Sequence, residues 1–461
     1  MVFAARQIQE KCREQHQDLY MVFIDLTKAF DSVHREGLWK ILRKIGCPEK
    51  FVNIVRAFHE GMMGCVLDNG EKSSPFTVSH GTKQGCVLAP LLFSIFFSMM
   101  LLVAFRNSDL GVSMQFRTDG SVFNLRRLQA RTKVFTALLR ELLYADDCVL
   151  LAHTQEAAQQ LFDSFSNAAR RFGLTVSLRK TEVMLQPAYR SSAATPVIKS
   201  GETVLKAVDK FCYLGSMLSS DCGIDSDLSA RLAKAGTAYG KLSKRLWNDH
   251  GIRLETKIAV YRAVVLTTLL YGCESWTLYR RHIAKLDQFH LRCLRKIAHI
   301  KWQDMVPNTD VLDRCQISGI EALIMRAQLR WTGHVIRMED TRIPKQTFYG
   351  QLPIGTRSVG RQYKRFKDHL KTTLLACNIP PKELESRALD RDAWRASCGD
   401  AVAEFEKARI NHLRDKRQQR KLHSQPTPAT VSTIGGQFHC DICGRACGSR
   451  IGLYSHRRTH Q

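Results

Sequence analysis

Short apolar runs alternate with amphipathic stretches over the first 185 residues. Tyr20-Met21-Val22-Phe23-Ile24 is continuous, β-prone and short, as a buried strand should be. It runs into Asp25-Leu26-Thr27-Lys28-Ala29-Phe30-Asp31, whose polar residues mark an exit into a loop. Residues 38–46 then read as a helix stopped by Gly46. Pro48 opens a second helix, in which Phe51, Ile54, Val55 and Phe58 recur at helical spacing before Gly61. Residues 64–67 and 76–78 read as a hairpin with an Asn69-Gly70 turn. Residues 88–105 carry no charge and approach membrane-spanning length. Pro90, Ser94 and Ser98 interrupt that run, and no aromatic and basic flanks frame it, so it reads as a buried core helix. Residues 157–172 predict an amphipathic helix and 174–178 a strand. The pattern is mixed α+β with a mainly antiparallel sheet.

From residue 225 to about 300 the pattern turns helical. Leu228, Leu232, Ala235 and Tyr239 share one face, and residues 258–271 are strongly apolar. Residues 320–331 and 401–421 also read as helices, the second heavily charged. Residues 424–436 are rich in Pro, Thr, Ser and Gly and predict a flexible linker.

Charge narrows the class of partner. The 461 residues include 69 Lys and Arg against 43 Asp and Glu, a net charge of +26. Such an excess points to a polyanion, nucleic acid first and an anionic membrane surface second. Arg280, Arg281, Arg292, Arg295 and Lys296 form a basic stripe on one predicted helix. A stripe of this kind is often a solvated face, but the excess over the whole chain favours contact with a phosphate backbone. Fifteen cysteines are scattered through all regions and no charged-then-apolar leader opens the chain, so free thiols in a reducing compartment are expected.

Tyr144-Ala145-Asp146-Asp147 sits between apolar stretches. Adjacent carboxylates there are costly unless a cation neutralises them or a hairpin tip carries them into water. Asp25 supplies another carboxylate at the end of another predicted strand. Two strands that each deliver an Asp can hold hard cations through oxygen ligands. Two Mg²⁺ ions roughly 4 Å apart would clamp the attacking and leaving oxygens of an in-line phosphoryl transfer. A pair of solvated turn carboxylates explains these segments equally well.

After the linker comes Cys440-x2-Cys443-x12-His456-x3-His460, the spacing of a closed, tetrahedral, structural Zn²⁺ site. Phe438 and Leu453 fall where a small ββα finger needs its core, while Cys447 stands where a large aromatic is usual. Folding of this unit should therefore rest on metal. The positions that commonly meet bases hold Ser449, Gly452 and Ser455, none of which makes a bidentate base contact. Arg445, Arg450, Arg457 and Arg458 suit phosphates. This reads as a tethering or nonspecific nucleic-acid module, with a protein-binding finger as the alternative.

Taken in order, these motifs resemble the reverse transcriptase of non-LTR (LINE-type) retrotransposons, from near residue 1 to about 300. Phe23-Ile24-Asp25-Leu26-Thr27-Lys28-Ala29-Phe30-Asp31 resembles the first catalytic palm motif. His80-Gly81-Thr82-Lys83-Gln84-Gly85-Cys86-Val87-Leu88-Ala89-Pro90 resembles the loop and helix that hold the incoming nucleotide and template base. Tyr144-Ala145-Asp146-Asp147 resembles the catalytic hairpin, and Gly173-Leu174-Thr175-Val176-Ser177-Leu178-Arg179-Lys180-Thr181 the fourth motif. Tyr213-Leu214-Gly215 resembles the primer grip.

The resemblance implies an α+β right-hand polymerase. Its palm, with only a remnant of fingers, would span 1–220 and a helical thumb 221–300. A basic, mostly helical region would span 301–423, the linker 424–436 and a ββα zinc finger 437–461. It implies an RNA-directed DNA polymerase that extends a DNA primer on an RNA template with dNTPs, in the nucleus, with template RNA also met in the cytoplasm. Asp25, Asp146 and Asp147, with the Leu26 carbonyl, would hold two Mg²⁺ ions. Backbone N–H groups after Asp25 would cradle the triphosphate. Phe30 would exclude a ribose 2′-hydroxyl, Gln84 and Gly85 would line the nucleotide pocket, and Lys180 would protonate pyrophosphate. Cys440, Cys443, His456 and His460 would hold Zn²⁺. Such polymerases carry a fuller fingers segment before the first palm motif and an endonuclease, so an N-terminally truncated chain is expected. The alternative is a catalytically inactive, retrotransposon-derived nucleic-acid-binding zinc-finger protein.

Overall fold

Five strands make the central sheet of the computed structural model, which describes residues 1–83, 85–130, 132–188, 194–357, 363–424, 433–434 and 437–460. They are β1 (Leu19–Ile24), β2 (Glu141–Tyr144), β3 (Asp147–Ala152), β4 (Glu182–Gln186) and β5 (Lys206–Ala207), in the order β5-β4-β1-β3-β2. All pairings are antiparallel except β4 with β5. The continuous apolar run of β1 is explained by its central place, since side chains on both of its faces are buried. Val22 and Ile24 face a core built by two helices, Ala89–Phe105 and Gln155–Arg171, with Phe93, Phe96, Phe162 and Phe165. Met21 and Phe23 face the other way, onto the helix Val2–Glu14 and a hairpin carrying Tyr213 and Leu218.

The charge-free run at 88–105 is thus a core helix, buried along one side through Leu92, Phe93, Phe96, Phe97 and Met100, with Leu91, Leu102 and Val103 exposed on the other. Among the described residues no helix is long and apolar enough to cross a membrane. The Asn69-Gly70 turn is present, with both residues at positive φ between the paired strands Leu67–Asp68 and Glu71–Lys72. Thr154 caps the helix Gln155–Arg171 by accepting from the Ala157 N–H.

One expected strand is corrected. Residues 174–178 form only a single bridge, Leu26 with Val176. The polar turn through Ser177, Arg179 and Lys180 ends the extended run, and the apolar Val183, Met184 and Leu185 supply the true strand, β4. The bridge still has a use. Thr27 N–H donates to the Thr175 carbonyl and Ser177 N–H to the Asp25 carbonyl, both at 2.8 Å, and this pins the segment beside Asp25.

Residues 225–300 are helical as read. Leu228 and Ala235 of the helix Asp225–Lys241 are buried, with Leu232 and Tyr239 packed against the same core. Leu286 and Leu294 of the helix Arg280–Ile297 complete it. The helix predicted at 320–331 extends over Ile320–Arg337. Packing gathers Met1–Glu406 into one compact unit. A further core joins Phe3 of the first helix to Trp331, Phe348 and Phe366, with ring centroids 5.7, 6.0 and 5.2 Å away.

A buried carboxylate ties these parts. Asp227 is fully buried and accepts from the Arg6 guanidinium at 2.9 Å, Ser216 Oγ at 2.7 Å, the Met217 N–H at 2.9 Å and Trp276 Nε1 at 2.8 Å.

The second unit is Lys407–Gln461. Gln437–His439 pairs with Ala446–Cys447 and the helix Arg450–Arg457 follows, giving the expected ββα order. Leu453 is buried, whereas Ile451 is exposed. Most of the expected linker at 424–436 lies outside the described residues.

Candidate active site and metal centre

The sheet delivers three carboxylates to one end. Ile24 pairs with Cys148, so Asp25 leaves β1 on the side from which Asp147 opens β3. Tyr144 pairs with Asp147, leaving Ala145 and Asp146 as a two-residue tip with Ala145 at φ +54°. Backbone in this left-handed region is held only where its surroundings fix it. The Asp25 side chain is 38% exposed, yet its Oδ2 is buried without a hydrogen-bond partner. Lys180 Nζ stands 3.5 Å from that oxygen. Asp25 N–H donates to Thr181 Oγ1 at 3.3 Å, which fixes the backbone where the acid emerges.

Burial first, then the neighbouring charges of Asp146 and Asp25, raise the pKa of Asp147. The three acids therefore repel one another, and an oxygen of one lacks a donor. Both facts fit a cation site. The sign has a consequence for the metal-free protein. A raised carboxyl pKa favours folding below the unfolded-state value and costs stability as pH rises past it. Asp147→Asn should thus raise stability at pH 7 by up to about 1 kcal/mol, because the group is solvent-accessible, and leave it unchanged near pH 3. Thermal melts without divalent metal at both pH values check this; equal shifts at both would rule out charge repulsion.

Of the expected site residues, Leu26 is buried beside Val176, and Asp25, Asp146, Asp147 and Lys180 gather at the same end of the sheet. The Thr27 N–H, one of those expected to cradle a triphosphate, is already committed to Thr175. Phe30 is half-buried and stacked on the buried Phe93, centroids 4.3 Å apart. Gly85 is exposed at φ +80° with open space around its Cβ position, so its requirement for glycine is conformational. Gln84 lies outside the described residues.

The loop containing Gly81 docks on the Asp25 turn. Thr82 N–H donates to the Phe30 carbonyl at 2.9 Å and Gly81 N–H to the Val33 carbonyl at 2.8 Å. A Cβ on Gly81 would fall 2.7 Å from the Asp31 backbone. Arg35, which sequence reasoning missed, braces this loop. Its guanidinium donates to the carbonyls of His59, Val78, His80 and Gly81 at 2.8 to 3.1 Å. A lone arginine opening a helix carries no such signal in the sequence.

Leu214 and Gly215, both at positive φ, make the tight turn between Lys210–Tyr213 and Ser216–Ser219. Tyr213 Oη donates to the Leu142 carbonyl at 3.3 Å, joining this turn to the acidic hairpin. Tyr271 Oη donates to the Leu214 carbonyl at 3.0 Å, and the Arg231 guanidinium donates to the Gly215 carbonyl.

Part of the basic stripe has partners within the protein. Arg280 pairs with Glu321 at 2.7 Å and Arg281 with Asp225 at 2.8 Å. Arg295 donates to the Val306 carbonyl and Asn308 Oδ1. Arg280 and Arg281 nevertheless stay largely exposed, at 82% and 66%, and share the exposed surface of that helix with Lys285, Arg292 and Lys296.

In the second unit, the ligand atoms of Cys440, Cys443, His456 and His460 all lie within 4.8 Å of one another. Cys443 Sγ is 2.9 Å from His456 Nε2, which is 3.2 Å from His460 Nε2. Backbone donors to the sulfur lower the Cys440 pKa, and local desolvation and His460 lower that of His456. Both directions favour the forms that bind metal. Cys447 is outside this group. Ser449 Oγ accepts from the Gly452 N–H as a helix cap, and Arg457 is paired with Asp441.

An antiparallel sheet with an acidic edge, helices on its faces and a helical bundle beyond it is the arrangement of a polymerase palm with a thumb. Comparison with known proteins agrees. Residues 2–218 match the family described as reverse transcriptase (RNA-dependent DNA polymerase). The RNA-directed DNA polymerase from mobile element jockey of Drosophila funebris is 24% identical over 288 residues, 61% of this chain and 28% of that protein. The Pol polyprotein from type-2 retrotransposable element R2DM of Drosophila melanogaster is 27% identical over 239 residues, 50% of this chain and 20% of that one. Residues 2–218 are thus similar to the reverse transcriptase family, and the relatives named are polymerases of retrotransposable or mobile elements. The chain spans less than a third of the length of either relative.

Proposed function

We propose that this protein is an RNA-directed DNA polymerase that extends a DNA primer on an RNA template, acting in the nucleus. The observation that carries the reading is the trio Asp25, Asp146 and Asp147, mutually repelling and with one buried carboxylate oxygen that receives no hydrogen bond and only the Lys180 ammonium 3.5 Å away. Asp25 and Asp146 would hold two Mg²⁺ ions, with Asp147 and the Leu26 carbonyl beside them. Bound there, the ions would supply Lewis-acid stabilisation of the attacking 3′-oxygen and the departing pyrophosphate. Lys180, already close to Asp25, is placed to hand a proton to that leaving group. Gln84 and Gly85 would border the nucleotide.

The palm is assigned to 1–220, the thumb to 221–300 and a basic helical region to 301–423. The Cys/His unit at 437–461 would bind one structural Zn²⁺ and tether nucleic acid without reading bases. Purified protein, an RNA template, an annealed DNA primer, dNTPs and Mg²⁺ should give template-dependent extension. Tight binding of the template and primer without extension would favour the inactive nucleic-acid-binding protein.

Phe30 tests the sugar end of the site. Phe30→Val should raise ribonucleotide incorporation relative to deoxyribonucleotide, on the order of tenfold, by opening space at the 2′ position; such a steric difference is worth about 1–3 kcal/mol. Because Phe30 also stacks on Phe93, some loss of stability should accompany the change. Competition between the two nucleotide types measures the ratio, and an unmoved ratio would make Phe30 a packing residue only.

A further inference from the structure

Residues 301–406 have no part in the chemistry above. Two of their helices cross at a glycine. A Cβ on Gly333 of Ile320–Arg337 would collide with the Trp394 indole of Arg391–Ser424, whose Nε1 donates to the Leu329 carbonyl at 3.0 Å. The missing side chain lets the helices meet closely, and the crossing brings two pairs of arginines together. Arg330 and Arg337 lie two turns apart on one helix; Arg391 and Arg395 lie one turn apart on the other. With Trp331 and His334 they line a cavity of about 610 Å³, and Glu274 is the sole carboxylate among its described lining residues.

Four guanidinium groups facing one carboxylate repel each other unless an anion enters. His334 registers the surplus: desolvation, then Arg337, Arg391 and Arg342, lower its pKa. Its imidazole is therefore neutral near pH 7 and can stack without adding charge. Trp331 sits 5.4 Å from it, half-buried, with an indole nitrogen that is buried and lacks a hydrogen-bond partner. The cavity is of a size that holds small ligands and so accommodates a nucleotide unit.

We infer that this cavity binds the backbone of a single-stranded nucleic acid, with the arginines on its phosphates and one unpaired base against Trp331 and His334. Guanidinium forks match phosphate oxygens bidentately. Aromatic platforms beside a cationic groove are how proteins hold unpaired strands without sequence preference. This surface is distinct from the acidic site and does not depend on catalysis there.

The test uses the full chain, without Mg²⁺ or dNTPs, and labelled single-stranded RNA, single-stranded DNA and duplex DNA of equal length, read by fluorescence anisotropy across a salt series. The variant Arg330→Gln/Arg391→Gln/Arg395→Gln should bind single strands at least ~10-fold more weakly. Its slope of log affinity against log salt should fall by roughly 2, at about 0.7 for each phosphate no longer neutralised. An equal charge loss elsewhere, Arg170→Gln/Arg171→Gln/Lys199→Gln, should change affinity by less than about threefold. An effect on RNA alone, DNA alone or both supports the site and names its occupant. An unchanged slope, equal losses in both variants, or an equal loss for duplex would overturn it. Should the triple variant melt early, Arg395→Gln alone decides, by a slope change of roughly 0.7 or none.

Discussion

Asp146→Asn is expected to abolish primer extension while leaving the fold intact. The tip of the β2–β3 hairpin fixes where this side chain points, and an amide preserves its shape but not its charge. Metal-ion catalysis contributes several kcal/mol of charge stabilisation, and each 1.36 kcal/mol is a factor of ten, so the loss should reach on the order of 10³-fold or more. Asp25→Asn should do the same. Single-nucleotide incorporation at saturating dNTP measures it, with the melting temperature as control. Near-normal extension with unchanged Mg²⁺ dependence would remove the two-ion assignment. Nucleic-acid affinity should be unaffected, which separates a chemical defect from a binding defect.

The second large effect concerns the Cys/His unit. A peptide covering residues 437–461 should be unfolded without metal and gain helix on adding Zn²⁺. Among its described residues Leu453 is the well-buried large apolar side chain near the site, and the apolar Ile451 faces solvent. Ordering about 25 residues costs roughly 1–2 kcal/mol each in backbone entropy, far beyond what that core returns. Metal binding, a large favourable term for such sites, is therefore what makes folding possible. Cys443→Ser should eliminate the transition seen by circular dichroism, and Cys447→Ser should preserve it. A Co²⁺ spectrum with three thiolate ligands would make Cys447 a ligand and overturn the four-residue set.

Much of the palm was legible because its chemistry sits on strong patterns. Val22 and Ile24 alternate with Met21 and Phe23 across two cores, so β1 is apolar throughout and easy to read. Asp25 and Asp146 stand out because charge at the end of a buried strand needs a reason. The first helix was not legible. It buries Gln7, Gln9, Glu10 and Lys11, residues that any hydrophobic pattern assigns to solvent. Their partners lie hundreds of residues away, as when the Phe366 N–H donates to Glu10 at 2.7 Å. Arg35 was missed for the same reason: four carbonyl acceptors leave no trace in residue type. The strand at 174–178 was misplaced by a few positions because β-prone Val176 precedes a turn that only tertiary pairing defines. In the basic stripe, residue type alone gave no sign of the acids, Glu321 and Asp225, that other helices bring to Arg280 and Arg281.

Asp227 bears on how such a chain can drift over generations. Its carboxylate is shared by Arg6, Ser216 and Trp276, three residues remote from one another in sequence. Removing one partner of a buried ion pair costs about 3–5 kcal/mol, a large part of the roughly 5–15 kcal/mol that holds a typical domain folded. A lone change at Asp227 therefore strands two buried guanidiniums, Arg6 and Arg231, whereas a change at Arg6 leaves the carboxylate the longer contact with Arg231 at 3.7 Å, so Asp227 is the member least free to change. It should pass down unaltered, whatever becomes of the surface around it.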